Sequence, residues 1–189
     1  RDCWCKSGHD NTCNKRFDWQ LGDLPHGYDH KFTYSNIGYN LKATDLQASI
    51  GVAQMDKLPN FVTKRKNNWK KINEFIEEND KFFIPHKPTQ NSDPSWFGYA
   101  ISLRDNTPFS REDLIKHLNE NRVDTRLMFG GNLIKQPAYK NKDYILSGDL
   151  YNSDKVMSDT FWIGVYPGIN DEMIDYVKGV ITDFLSVKT

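Results

Sequence analysis

Cys3, Cys5 and Cys13 fall within the first thirteen residues in the spacing C-x-C-x7-C, and no cysteine follows in residues 14–189. In an extended segment side chains alternate, so Cys3 and Cys5 project to one face. Gly8, Asp10 and Asn11 supply the turn chemistry that would return Cys13 to those two sulfurs. Thiolates presented together by a loop are the donors that soft metal centres use. Three chemistries fit: a disulfide with a spare thiol, or cysteines packed as small hydrophobes; a structural zinc completed by His9; and an iron–sulfur cluster whose fourth ligand lies outside the chain. Clustering and turn residues argue against packing roles. Spacing leaves zinc and iron–sulfur both open.

Three further stretches carry polar groups suited to a ligand. Gly38-Tyr39-Asn40 precedes a helix, where unpaired N–H groups and the positive dipole end favour an anion. In Asp124-Thr125-Arg126-Leu127-Met128-Phe129-Gly130-Gly131-Asn132, Arg126 and Asn132 flank a glycine pair. The planar fork of Arg126 suits a diphosphate or carboxylate, although an arginine salt-bridged at a strand end is the plain alternative. Tyr28, Asp29, His30 and Lys31 form the third cluster. A loop histidine that only hydrogen-bonds is the commoner case.

The elements that must position these groups are legible from caps and periodicity. Thr44-x-x-Gln47 is a capping box, followed by Leu46, Ile50, Ala53 and Leu58 at helical spacing until Pro59 stops or restarts the helix. A longer helix to about residue 79 carries Phe61, Val62, Trp69, Ile72, Phe75 and Ile76 as its apolar stripe. Its lysines and arginine read as a solvated face rather than a nucleotide-binding patch. After a breaker-rich connection over 85–96, a strand is predicted over 97–103 and a helix capped by Ser110 to Asn121. Strands follow over 123–128 and 160–165, with a short helix over 151–158 and a final helix capped by Asn170. This is an α+β pattern of strands covered by helices.

Lysine plus arginine equals aspartate plus glutamate at 25 each, so no strong field recommends nucleic acid or an anionic membrane. No run approaches the roughly 18 apolar residues of a membrane span. Mean hydropathy is −0.72 and aromatics make up 13% of residues, so the core is expected to lean on Phe, Tyr and Trp. Clustered thiols favour a reducing compartment, with the cytoplasm as the default.

Taken in order, Cys3-Trp4-Cys5, Asp10-Asn11-Thr12-Cys13, Lys15-Arg16-Phe17, Gln20-Leu21-Gly22, Leu24-Pro25, Gly27-Tyr28-Asp29-His30-Lys31, Tyr34-Ser35 and Gly38-Tyr39-Asn40-Leu41-Lys42 carry a resemblance. Together they resemble the CDP-4-keto-6-deoxy-D-glucose 3-dehydrases, an iron–sulfur branch of the DegT/DnrJ/EryC1/StrS sugar aminotransferase superfamily. The match is dense over 1–65 and thinner to the C-terminus. It implies the fold of type I pyridoxal-phosphate enzymes. Residues 1–43 would be a cysteine loop and the tail of a large domain, 44–80 linking helices, and 81–189 the C-terminal α+β small domain. It also implies a piece of a longer protein, in line with a chain that opens inside a motif without methionine, and one that is inactive alone.

On the same resemblance Cys3, Cys5 and Cys13 would ligate a 2Fe–2S cluster with an upstream fourth cysteine. Asn40, ahead of Leu46-Gln47-Ala48-Ser49-Ile50-Gly51, would reach the cofactor phosphate of a neighbouring subunit, which implies a homodimer. Arg126 is raised as a substrate contact, with Asn132, Tyr28 and His30 as further candidates. The cofactor would be pyridoxamine or pyridoxal 5′-phosphate, held without a covalent tether because an upstream histidine replaces the usual lysine; none of the five histidines here inherits that role. The substrate would be a CDP-linked 4-keto-6-deoxyhexose losing its C3 hydroxyl, with single electrons drawn from a flavin and iron–sulfur reductase. The remaining alternatives are an ordinary sugar aminotransferase whose cysteine loop is zinc-bound or metal-free, and a non-catalytic interaction module.

Overall fold

The computed structural model describes residues 12–34, 36–39, 41 and 43–188. The chain divides into two compact units, 1–50 and 51–189.

In the first unit the described residues form tight turns rather than layers. Leu24 N–H donates to the Leu21 carbonyl, Gly27 N–H to Trp19 and Tyr28 N–H to Pro25, which folds the segment back on itself. Gly27 needs its freedom: its φ is +76°, and a Cβ there would lie 2.9 Å from the Phe17 carbonyl oxygen. A single 3-10 turn, His30–Phe32, follows.

Helix α1, Asp45–Met55, begins as its cap predicts. Gln47 N–H donates to Thr44 Oγ1 at 3.3 Å and Thr44 N–H to Gln47 Oε1 at 2.9 Å, a reciprocal capping box. Among the described residues its apolar positions stay exposed: the helix has no buried residue and Leu46 is 77% exposed.

The second unit is built on α2, Leu58–Glu78, with Pro59 in its first turn, where the missing N–H costs nothing. Four antiparallel strands follow: β1 Phe83–Ile84, β2 Gly98–Leu103, β3 Arg126–Leu127 and β4 Thr160–Gly164, in the order β1-β2-β4-β3. Tyr99, Ile101 and Leu103 of β2 alternate with smaller residues, and the buried Phe161 and Ile163 of β4 alternate with the less buried Trp162 and Gly164, with buried Val165 just beyond the strand. They join Ile72, Phe75 and Ile76 of α2, Leu114 and Leu118 of α3 (Arg111–Glu120), and Ile174, Ile181, Phe184 and Leu185 of α5 (Asp171–Lys188) in one core. Helix α4, Tyr151–Asp159, lies against β2 and β4. At Gly98 the Trp162 indole crosses the backbone so closely that a Cβ would sit 2.4 Å from the ring.

Among the described residues Arg65 Nε and Trp162 Nε1 are buried in this unit without a hydrogen-bond partner, while other buried polar groups are paired. Ser102 and Thr160 hydroxyls meet at 2.8 Å across the central strand pair. Tyr99 OH donates to Asn73 Oδ1 at 2.7 Å. Asn68 Nδ2 donates to the carbonyls of Tyr166 and Ile169, both at 3.2 Å, tying α2 to the turn that leads into α5. The observed architecture is α+β, as its pattern predicts. The strand expected over 123–128 pairs only at Arg126–Leu127. Strand β1 was not anticipated.

Candidate functional site

Cys13 is half-buried in a turn, and Asn14 beside it adopts a left-handed φ of 54°, which asparagine tolerates better than most residues. Cys3 and Cys5 lie outside the described residues. Among the described residues no three His, Cys, Asp or Glu side chains gather to hold a metal. The donor chemistry still fits a soft centre: three sulfurs at C-x-C-x7-C spacing, one of them delivered by an ordered turn.

Asn40 also lies outside the described residues. What the structure does describe is its setting: Gly38 with open space around it, and the capped N-terminus of α1 beginning at Asp45.

Tyr28 and His30 occupy one loop. Tyr28 is exposed, whereas His30 is 7% exposed. His30 Nδ1 lies 3.0 Å from the Arg16 carbonyl oxygen. A carbonyl can only accept, so Nδ1 carries a proton and donates to it. The imidazole stacks on Trp19, with centroids 5.8 Å apart and planes inclined by 28°. Beside it, Arg16 grips Asp29 through Nε at 3.1 Å and Nη2 at 2.7 Å, both to Oδ2. These residues were not predicted as a unit. The signal available was an arginine and an aspartate thirteen positions apart in two turn-rich segments, which says nothing about pairing.

In the second unit Arg126 stands on edge strand β3 opposite Trp162, with its side chain 63% exposed. Its guanidinium pairs with Asp124 at 2.9 Å, the salt-bridged alternative that its sequence context left open. It borders an open cleft of about 650 Å³ that Asn68, Asp124, Trp162, Tyr166 and Met173 also line. Asn132 is not among the lining residues and is only 3% exposed. Its Nδ2 donates to Asp154 Oδ1 at 2.7 Å and its Oδ1 accepts from Ile134 N–H at 3.2 Å. Hydrogen bonds from Lys135 first and Asn132 second hold the exposed Asp154 carboxyl below its ordinary pKa. Arg126 thus keeps a face toward open space, and Asn132 spends its amide inside the protein.

Residues 23–182 match the model of the DegT/DnrJ/EryC1/StrS aminotransferase family. The chain is 47% identical over 187 residues to the lipopolysaccharide biosynthesis protein RfbH of Salmonella typhimurium, covering 99% of this chain and 43% of that protein. It is 48% identical over 186 residues to dTDP-4-dehydro-2,6-dideoxy-D-glucose 3-dehydratase of Saccharopolyspora spinosa, covering 98% of this chain and 40% of that enzyme. The chain therefore spans about two fifths of these relatives. Among solved structures, the Escherichia coli GDP-4-keto-6-deoxy-D-mannose-3-dehydratase with bound hydrated PLP superimposes with a TM-score of 0.71 at 23% identity, over 79% of this chain and 38% of that one. An aminotransferase from Psychrobacter cryohalolentis gives 0.74 at 19% identity, over 88% and 44%. The α+β fold is that of part of an aminotransferase-like enzyme, and the chain belongs to the DegT/DnrJ/EryC1/StrS aminotransferase family.

Proposed function

We propose that this chain is part of a nucleotide-sugar 3-dehydratase that uses pyridoxamine 5′-phosphate and a 2Fe–2S cluster to remove the C3 hydroxyl of a CDP-linked 4-keto-6-deoxyhexose, in dideoxysugar and O-antigen biosynthesis. The observation that carries this reading is near-half identity over almost the whole chain to RfbH and to a sugar 3-dehydratase, together with the C-x-C-x7-C cysteines.

When bound, the cofactor supplies an electron store and the cluster supplies single electrons drawn from a partner reductase. The roles of this chain's own residues are binding and placement. Cys3, Cys5 and Cys13 provide three thiolates, and the fourth ligand comes from elsewhere in the polypeptide. Asn40, just ahead of α1, donates to the cofactor phosphate of the second subunit of a homodimer, where the helix N-terminus adds favourable dipole. Arg126 reaches the sugar diphosphate by exchanging its Asp124 partner for a doubly charged ligand. Tyr28 offers a phenol at the surface of its loop, and His30 its Nε2. Asn132 acts toward the substrate by shaping the turn after Arg126, since its own amide is engaged. The organisation proposed is a cysteine loop over 1–43, linking helices over 44–80 and a small domain over 81–189, in a cytoplasmic enzyme. Among the described residues no helix is long and apolar enough to cross a membrane.

The rival reading is a plain sugar aminotransferase, which the description of the family matched by residues 23–182 favours. The deciding experiment supplies the whole polypeptide with pyridoxamine phosphate, reductase and 4-keto-6-deoxyhexoses carried on CDP, dTDP or GDP, and analyses the sugar at C3 and C4. Loss of the C3 oxygen, fastest with CDP, is expected; an amino sugar with the C3 hydroxyl intact overturns the dehydratase reading. Faster turnover on dTDP or GDP overturns the nucleotide assignment alone. In the same protein Asn40→Ala is expected to weaken cofactor binding by roughly tenfold, the worth of one hydrogen bond to a charged group.

A further inference from the structure

We infer that the cleft beside Arg126 takes the nucleobase of the sugar nucleotide, and that Trp162 and Glu172 select cytosine there. This rests on the dehydratase reading above.

The cleft lies wholly within the second unit, and its volume of about 650 Å³ is that of a small-molecule site. Its floor is apolar, with Ile163 and Val165 only 3% and 1% exposed. Trp162 and the exposed Tyr166 bound it with aromatic surface. Two arginines, Arg122 and Arg126, and two carboxylates, Asp124 and Glu172, also line it. The charges balance, so the cleft selects by where its groups stand rather than by net field. An apolar floor between aromatic walls suits a flat heterocycle, which stacks and needs few hydrogen bonds.

The polar groups restrict which heterocycle. Trp162 Nε1 is buried and has no hydrogen-bond partner among the described residues. An indole N–H can only donate, so an acceptor must answer it. The ring cannot turn to find one: Phe97 meets it edge-on with centroids 4.8 Å apart, and it lies across the Gly98 backbone. A ligand carbonyl entering the cleft supplies that acceptor. Glu172, exposed on the first turn of α5, offers the complementary group, a carboxylate that accepts from an amine. Cytosine carries a ring carbonyl and an exocyclic amine. Thymine and uracil carry a second carbonyl in place of that amine, which would face the carboxylate with no proton to share. A base held here also brings its diphosphate to Arg126, on the border of the same cleft.

The test titrates the complete polypeptide with CDP, dTDP and GDP, free of sugar, by calorimetry. It is run on the wild type, Trp162→Phe and Glu172→Gln, with pyridoxamine phosphate affinity measured alongside. CDP is expected to bind tightest to the wild type. Trp162→Phe keeps an aromatic wall without the donor and is expected to weaken CDP and dTDP alike, by about tenfold. Glu172→Gln, whose amide can donate to a carbonyl, is expected to weaken CDP severalfold while strengthening dTDP. Cofactor affinity should stay at the wild-type value in both. Should Trp162→Phe fail to fold, Glu172→Gln, at an exposed position, still decides. Nucleotide affinities equal to wild type in both variants overturn the cleft assignment and leave the dehydratase reading in place. An equal loss of CDP and dTDP in Glu172→Gln, or a wild type that prefers dTDP or GDP, overturns the selection of cytosine. The expected pattern in a protein that never removes the C3 oxygen supports the cleft and overturns the dehydratase reading alone.

Discussion

From Lys15 to Thr33 the chain closes on an ion pair, one buried imidazole and an indole, whereas beyond residue 51 it closes on an apolar core running from Ile72 to Leu185. The difference separates two ways of fixing a side chain. A core fixes it by excluded volume spread over many contacts, so loss of one atom is shared. Turns with polar fasteners fix it through a few directional bonds, and each bond then matters to whatever hangs from it. A loop that presents cysteines belongs to the second kind, because residues committed to a core cannot also face a ligand.

The sharpest way to break this comparison is Phe161→Ala, at a position with no exposure on central strand β4. Denaturant unfolding is expected to show a loss of about 3–5 kcal/mol, the range for emptying an aromatic site in a packed core. Arg16→Gln should leave that transition unmoved. A comparable loss from Arg16→Gln would show that the turn segment shares the core's stability.

A smaller effect is expected for Tyr99→Phe. It strands the buried Asn73 carbonyl oxygen and should cost about 1–3 kcal/mol in the same measurement. Next comes Ser110→Ala, which opens the box between Ser110 and Asp113 at the start of α3 and should cost about 1 kcal/mol.

The smallest expected effect is a pH slope from His86. Burial lowers its pKa from the ordinary 6.5. The folded state therefore binds fewer protons than the unfolded chain at mildly acidic pH. Stability is complete above about 6.5 and declines as the pH falls toward the lower folded value. His86→Gln should flatten the decline between those values, and an unchanged slope would assign the acid sensitivity elsewhere.

Three of the helices were legible because their ends carry chemistry, whereas α2 and α4 have no side-chain cap. Thr44 with Gln47, Ser110 with Asp113, and Asn170, whose Oδ1 accepts from Met173 N–H at 2.9 Å, all cap where side-chain type and spacing place them. Strand β1 escaped because two residues, Phe83 and Ile84, are too few to show alternation. The strand around Arg126 was overextended because Val123 is apolar for the core and not for a ladder: it is buried while its N–H turns back to the Leu118 carbonyl. The exposed apolar positions of α1 show the limit of periodicity, which reveals a face and says nothing of what covers it. At the site level, residue type singled out Arg126 as a candidate fork and Cys13 as a candidate donor. Asp124 lies only two residues from Arg126 and was within reach of local reading, whereas the pairing of Arg16 with Asp29, thirteen positions apart, depends on how the turns bring them together, which local spacing does not encode.

The most direct measurement is the iron and acid-labile sulfide content of the complete polypeptide, purified without oxygen, beside its Cys13→Ser variant. The account predicts iron and sulfide in equal amounts with visible absorption in the wild type, and loss of both in Cys13→Ser. Zinc, or no metal at all, in a protein that still removes the C3 oxygen would contradict it.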